Sequence, residues 1–218
     1  VEMLNTYAGL GGNRANLPDY VNVTAVEFQP DIAAFYQRRF PQDTVIVGDA
    51  HECLLKHFRE FDFIWSSIPC PTHSRARFWA AMGEDTAVEP VYPDLKLYEE
   101  ILLLQKYYKG DWVVENVKPF YKQLIPSSVT LGRHEFWCNF PVYPYEAKDA
   151  DIQGGKRDEW QEQHGIDISG ETFIDCVTGE PIRKDKLLRN CVDADLGLHL
   201  FESSLGGSPS TIDQMALL

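Results

Sequence analysis

A short, largely apolar run at residues 61–65, Phe-Asp-Phe-Ile-Trp, constrains this chain more than any other feature. A run of this length and composition reads as a strand buried on both faces, the pattern of a parallel sheet. It leads through Ser66, Ser67 and Ile68 into Pro69 and Cys70. A thiol is thereby set at the carboxyl end of a central strand, the edge where open α/β sheets bind ligands.

The rest of the chain repeats the theme. Residues 3–8 read as a first strand entering a glycine turn, and residues 21–26 as a second strand ending at Glu27. Pro30 opens a helix to about Phe40, with proline in the first turn where its missing N–H costs nothing. Residues 44–47 form a third strand ending at Gly48 and Asp49. Residues 53–61 are helical, with Leu54, Leu55 and Phe58 on one side. Asp94 caps a further helix carrying Leu97, Ile101, Leu104 and Tyr108, and residues 112–114 form a fifth strand ending at Glu115. Strands alternating with helices predict a Rossmann-like, doubly wound, mostly parallel α/β sheet. The polar, proline-bearing stretch 71–93 is long for a connection and reads as a functional loop. Beyond Pro141 the periodicity dissolves. The expected organisation is a main domain over 1–142, a small inserted lobe over 143–186, a return over 187–201 and a mobile tail over 202–218.

Bulk properties set limits. The 218 residues suffice for one core and a small second lobe. No apolar stretch approaches the roughly 20 residues that span a bilayer, and no basic-then-apolar leader opens the chain, so a cytoplasmic protein without membrane contact is expected. The five cysteines, Cys53, Cys70, Cys138, Cys176 and Cys191, form no C-x-x-C pair. A zinc site is therefore not expected, and reduced thiols are. The net charge of −13 argues against non-specific nucleic-acid binding. Any such contact must be local, near Arg75 and Arg77 or among Lys156, Arg157, Arg183, Lys184, Lys186 and Arg189.

Four strand ends carry chemistry. Gly9, Gly11 and Gly12 let a ligand approach backbone N–H groups. Glu27 sits where a doubly wound fold places an acid for a ribose hydroxyl, and Asp49 could accept from an adenine amine. Singly, each also reads as an ordinary turn or solvated strand end; together they describe a nucleoside site.

In this order the motifs resemble those of the DNA cytosine-5 methyltransferase family, in its compact phage or prophage form. Tyr7-Ala-Gly-Leu-Gly-Gly12 is similar to the family's first motif, usually begun by Phe. Glu27 with Phe28, and Asp49, match the next two. Pro69-Cys70 with Ser74 resembles the catalytic Pro-Cys-x-x-x-Ser, Glu115-Asn116-Val117 the Glu-Asn-Val motif, and Asn190-Cys191-Val192 the last motif. The resemblance implies S-adenosyl-L-methionine as methyl donor, leaving S-adenosyl-L-homocysteine. Its contacts would come from Tyr7, Ala8, Gly9, Gly11, Gly12, Glu27, Phe28, Asp49, Ala50, Pro69, Asn190 and Val192.

The resemblance further implies methylation of cytosine C5 in double-stranded DNA. Cys70 would add to C6 as nucleophile, Glu115 would hydrogen-bond N3 and the exocyclic amine with a raised pKa, and Arg133 would bind O2. Such groups cannot reach a base inside a duplex, so an extruded nucleotide is required. Ser74, Arg75, Arg77, Asn116 and His134 would then touch DNA. Two departures stand out. Leu131 and Glu135 replace the Gln and second Arg that normally flank the Arg133 position. The block 143–186, where relatives carry a target recognition domain, is far shorter than an independent domain, so a protein partner or homodimer could supplement it. A transfer-RNA methyltransferase on the same scaffold, or a non-catalytic binding subunit, are the alternative readings.

Overall fold

The computed structural model describes residues 1–75, 89, 91–146 and 157–206. Seven strands form one sheet: β1 (Glu2–Thr6), β2 (Asn22–Glu27), β3 (Thr44–Val47), β4 (Phe63–Ser67), β5 (Asp111–Val117), β6 (Val129–Leu131) and β7 (His134–Cys138). Their order is β3-β2-β1-β4-β5-β7-β6. The first five are parallel, while β7 runs antiparallel to β5 and to β6. The described helices are α1 (Pro30–Arg39), α2 (Ala50–His57), α3 (Lys96–Tyr107), α4 (Arg157–His164), α5 (Lys184–Arg189) and α6 (Ala194–Ser204). This is the doubly wound α/β architecture that the alternating pattern predicts. No described helix is long and apolar enough to cross a membrane.

The two-residue period of the strands divides the core in two. Met3, Phe63, Trp65 and Val113 point to one face, packed with Tyr36 of α1 and with Leu196, Leu200 and Phe201 of α6. Leu4, Ile64, Trp112 and Val114 point to the other, packed with Leu54 of α2 and with Leu97, Ile101 and Leu104 of α3. Strands apolar on both sides need a cover on both sides, which explains why the central runs lack polar alternation.

Several boundaries differ from expectation for local reasons. β1 stops at Thr6 rather than residue 8 because Tyr7 turns into the left-handed region, at φ 57°. α2 begins at Ala50, not Cys53, because Asp49 Oδ1 accepts from the backbone N–H of His51 and Glu52 at 2.8 and 3.1 Å. The cap of α3 is Leu95; Asp94 instead accepts from the N–H of Lys96 at 3.1 Å. Residues 202–204, expected in a mobile tail, complete α6. The β6–β7 hairpin is an addition to the predicted strands. It turns on Gly132 (φ 57°) and Arg133, a two-residue connection that needs glycine's positive φ.

The described part of the block expected as a separate lobe packs on the main domain. Trp160, Ile166, Ile168 and Phe173 form a third apolar cluster with Leu10 and with Ile32 and Phe35 of α1. Polar ties reinforce it: Ile174 N–H donates to Asp31 Oδ2 and Cys176 N–H to Gln29 Oε1, both at 2.8 Å.

The loop after the glycine turn is held by a buried ion pair. Arg14 Nε and Nη2 donate to the two carboxylate oxygens of Asp43 at 2.9 and 3.0 Å, and Tyr36 OH donates to Oδ2 at 2.9 Å. Removing one member strands a buried charge. Asp43→Ala is expected to lower the unfolding free energy by about 3–5 kcal/mol, measured by denaturant titration.

Candidate active site

The parallel register brings four strand ends to one edge. Thr6 pairs with Ser66, and Ser67 with Glu115; β7 enters the same edge at His134, opposite Val117. A cavity of about 310 Å³ opens there. Its lining includes Tyr7, Ala8, Gly9, Gly12, Glu27, Phe28, Pro69, Cys70, Glu115, His134, Asn190 and Val192, drawn from every motif but one of those singled out by sequence.

One end of the cavity is built from the glycine turn. Gly9 has φ 53°, and a Cβ there would meet nothing nearer than the Tyr7 carbonyl at 3.9 Å, so its backbone lies open to a ligand. Its N–H donates to Glu27 Oε2 at 2.9 Å, while Gln29 N–H donates to Oε1 at 2.9 Å. A third backbone donor, Phe28 N–H, also serves this carboxylate. Burial raises the Glu27 pKa, against backbone donors that lower it. Gly12 is required by close approach: a Cβ would collide with the Val192 carbonyl. This contact closes the last motif onto the first. Gly11 (φ 75°) does not line the cavity; its Cβ would strike the rings of Phe40 and Tyr36 at 2.5 and 2.8 Å, so it serves packing.

The other end holds the reactive groups. Burial, then the nearby Glu115 carboxylate, pushes the half-buried Cys70 thiol up to about 11, with Arg133 and Lys186 opposing. Burial pushes the Glu115 carboxyl up to about 7, against a hydrogen bond from Ser67 and the charge of Arg133. His134 Nε2 lies 3.6 Å from Glu115 Oε1, beyond a hydrogen bond. Burial and the Arg133 charge push His134 down to about 3, so it is neutral and brings no cation to Glu115.

Other predicted site residues stand elsewhere. Arg133 is outside the cavity lining; its Nη2 donates to the Arg189 carbonyl, and it reaches Cys70 and Glu115 through its field. Asp49 and Ala50 are also outside the lining: Asp49 caps α2, and Ala50 is buried in the core beneath that helix. Asn116, expected to touch DNA, is 1% exposed. Its Nδ2 donates to the Ile68 carbonyl at 3.0 Å and its Oδ1 accepts from Val117 N–H at 2.9 Å, so it braces the Pro69-Cys70 segment. Ser74 bridges to Pro119, and exposed Arg75 donates from Nε to the Pro119 carbonyl at 3.3 Å. Arg77 lies outside the described residues.

Sequence reasoning missed Ser67, whose hydroxyl accepts from Trp65 Nε1 at 2.8 Å and hydrogen-bonds Glu115. The signal for it is register: the last residue of the central strand pairs with the acid on the next. It also missed Asn13 and Leu187 in the lining, while Arg189, read from the sequence only as a basic candidate, lines it too.

A family model described as C-5 cytosine-specific DNA methylase matches residues 1–123. The chain belongs to that family. The match spans the glycine turn, Glu27, Cys70 and Glu115. No curated protein matches. Among solved structures, the putative methyltransferase yhhF from Escherichia coli is 14% identical, with 63% of this chain and 73% of that chain covered and a TM-score of 0.38. A putative DNA modification methyltransferase encoded within an E. coli prophage is 16% identical over 56% of this chain and 34% of that one, at TM-score 0.34. A DNMT2 variant from Spodoptera frugiperda is 19% identical over 68% of this chain and 53% of that one, at TM-score 0.39. The family methyl donor is S-adenosylmethionine. The open backbone at Gly9, the Glu27 carboxylate on the cavity wall and the half-exposed Phe28 ring suit the nucleoside part of that molecule.

The electrostatics make Cys70 a sluggish thiol in the free protein, because thiolate fraction governs alkylation. Peptide-resolved iodoacetamide labelling near neutral pH should therefore modify exposed Cys176 well before Cys70. Glu115→Gln should speed labelling of Cys70 by removing the neighbouring negative charge, and Arg133→Ala should slow it.

Proposed function

We propose that this chain methylates C5 of cytosine in double-stranded DNA, with Cys70 adding covalently to C6 of an extruded base. The observation that carries the reading is the pairing of a nucleophilic thiol with a buried acid whose pKa lies near 7, at one end of a cavity whose other end suits the methyl donor. Membership of the C-5 cytosine-specific DNA methylase family favours DNA over RNA.

Cytosine C5 is too poor a nucleophile to accept a methyl group unaided. Attack of the Cys70 sulfur forms an S–C6 bond and moves the ring π electrons toward C5 and N3. Glu115, in its protonated form, donates to N3 and so neutralises the charge that gathers there. The thiol with an ionised Glu115, and the thiolate with a protonated Glu115, contain the same number of protons. The competent state is thus one proton relay away from the resting one. S-adenosylmethionine supplies an electrophilic methyl on a sulfonium centre when bound. Once C5 bears the methyl group, its proton passes to solvent, the S–C6 bond breaks with sulfur leaving as thiolate, Glu115 takes back the N3 proton, and the aromatic ring is restored.

Arg133, half-buried, acts as a positive field that favours the thiolate and the negatively charged ring. Asn116 holds the Cys70 segment in place through Ile68. His134, being neutral, lets the acid keep its proton near pH 7. Arg75, exposed beyond the turn after Cys70, is available to a phosphate. The small block between the Arg133 hairpin and the last motif leaves target choice to few residues or to a partner subunit.

Labelled S-adenosylmethionine with unmethylated duplex DNA should yield 5-methylcytosine with the wild type and none with Cys70→Ala. Because one proton must be shared between Cys70 and Glu115, kcat/KM should rise as pH passes about 7 and stay level below the thiol limb near 11. Label in transfer RNA but not in DNA would replace the DNA reading, and equal label with Cys70→Ala would remove Cys70 from the chemistry.

A further inference from the structure

Glu100 is the least expected charge in the fold. It lies on α3, 1% exposed, with no Lys or Arg paired to it among the described residues. Three donors converge on it instead. Tyr7 OH donates to Oε1 at 2.7 Å, and Ser66 Oγ donates to Oε2 at 2.6 Å. His51 Nδ1, on the first turn of α2, lies 2.9 Å from Oε1. A buried carboxyl group demands such partners.

One of these contacts, that of Tyr7, reaches the cofactor end of the cavity. Tyr7 lines it, opens the glycine turn and holds φ 57°, a conformation that a non-glycine residue keeps only when its surroundings enforce it. The phenol is the part of Tyr7 that is anchored; burial and the adjacent Glu100 raise its pKa, so it remains a donor. At the other end of the network, His51 reaches the surface. Its Nε2 lies 3.4 Å from Glu99 Oε2.

We propose that Glu100 is a positioning residue of the methyl-donor pocket, acting through the Tyr7 hydroxyl, with His51 as its surface-facing counter-charge. The inference rests on the reading of this cavity as the donor pocket. It assigns the network a task beyond structure: donor affinity depends on a group, His51, that touches neither the cavity nor the donor.

The charge environment sets the direction. Facing His51 are Glu99 and Glu100 from α3, with Lys96 from the same helix opposing and Asp49 at the cap of its own helix. Asp94, before α3, adds negative charge near Tyr7. The Glu100 hydrogen bond is the largest cause that raises the His51 pKa, against partial burial and Lys96. A raised histidine pKa means that the charged pair is complete below the ordinary value of about 6.5 and is lost as pH rises through the raised value. Neutral His51 can still donate from Nδ1, so the loss is of charge assistance and not of the whole bond.

The test is calorimetric affinity for S-adenosylhomocysteine, which requires no catalysis. Wild type, Tyr7→Phe, His51→Gln and the double variant are compared at about pH 6 and about pH 8.5. His51 is partly exposed and Tyr7→Phe keeps the ring, so both variants retain the core. Tyr7→Phe should bind about tenfold more weakly at the lower pH. Between the two pH values, wild type should lose about fivefold more affinity than His51→Gln. The comparison with His51→Gln subtracts titration of the ligand amine and of Glu115. In the Tyr7→Phe background the His51 substitution should have no effect, because its route to the pocket is gone. Equal pH dependence in wild type and His51→Gln, additive effects of the two substitutions, or unchanged affinity in Tyr7→Phe would overturn the inference and leave the donor pocket standing. No binding by the wild type at either pH would overturn the donor-pocket reading and the inference together.

Discussion

Parallel pairing of β4 between β1 and β5 is the constraint on which the site depends. Those strands are apolar on both faces and demand helices on both, and only crossover connections permit parallel neighbours. Each of the five parallel strands therefore delivers its carboxyl end to the same edge. The glycine turn, Glu27, the Pro69-Cys70 segment and Glu115 are far apart in sequence, yet the register sets Ser67 beside Glu115 and Thr6 beside Ser66. The antiparallel β7 adds His134 to that edge from the opposite direction. The chain's last motif closes the cavity because Gly12 has no Cβ to hold Val192 away.

On that frame, burial tunes the chemistry more than charge pairing does. It moves Glu115 up to about 7, Cys70 up to about 11 and His134 down to about 3. In each case the neutral form is favoured, as low dielectric requires. Arg133 is the cation that works against this trend for Cys70 and Glu115, and it does so from behind the cavity wall. In the proposed chemistry reactivity is a matter of proton placement: the same protons, moved from sulfur to carboxyl, would turn the pair into a nucleophile and an acid.

Much of this was legible in the sequence, for a physical reason. Two-sided burial leaves unbroken apolar runs such as Ile64 and Trp65, and a run that ends in Pro-Cys reports both a strand and its carboxyl end. What escaped were features set by tertiary context. Asp49 carries the same strand-end signal as Glu27, but its carboxylate caps α2 while that of Glu27 faces the cavity. Asn116 follows the buried acid Glu115 in its motif, and nothing in the letters says that its amide is buried against Ile68. The β6–β7 hairpin is short and mixed in polarity, so it lacks a period. Trp160, Ile166, Ile168 and Phe173 are spaced without helical or strand repeat, and only packing against α1 reveals them as core.

The central claim is that Cys70 bonds to C6 of an extruded cytosine. The most direct measurement is the intact mass of the protein after incubation with S-adenosylmethionine and a duplex carrying 5-fluorocytosine. Fluorine at C5 cannot leave as a proton does, so the methylated adduct cannot eliminate. The account predicts a stable protein–DNA species whose cross-link maps to Cys70 and which is absent in Cys70→Ala. Turnover of ordinary cytosine without any trapped species, or a cross-link at another residue, would contradict it.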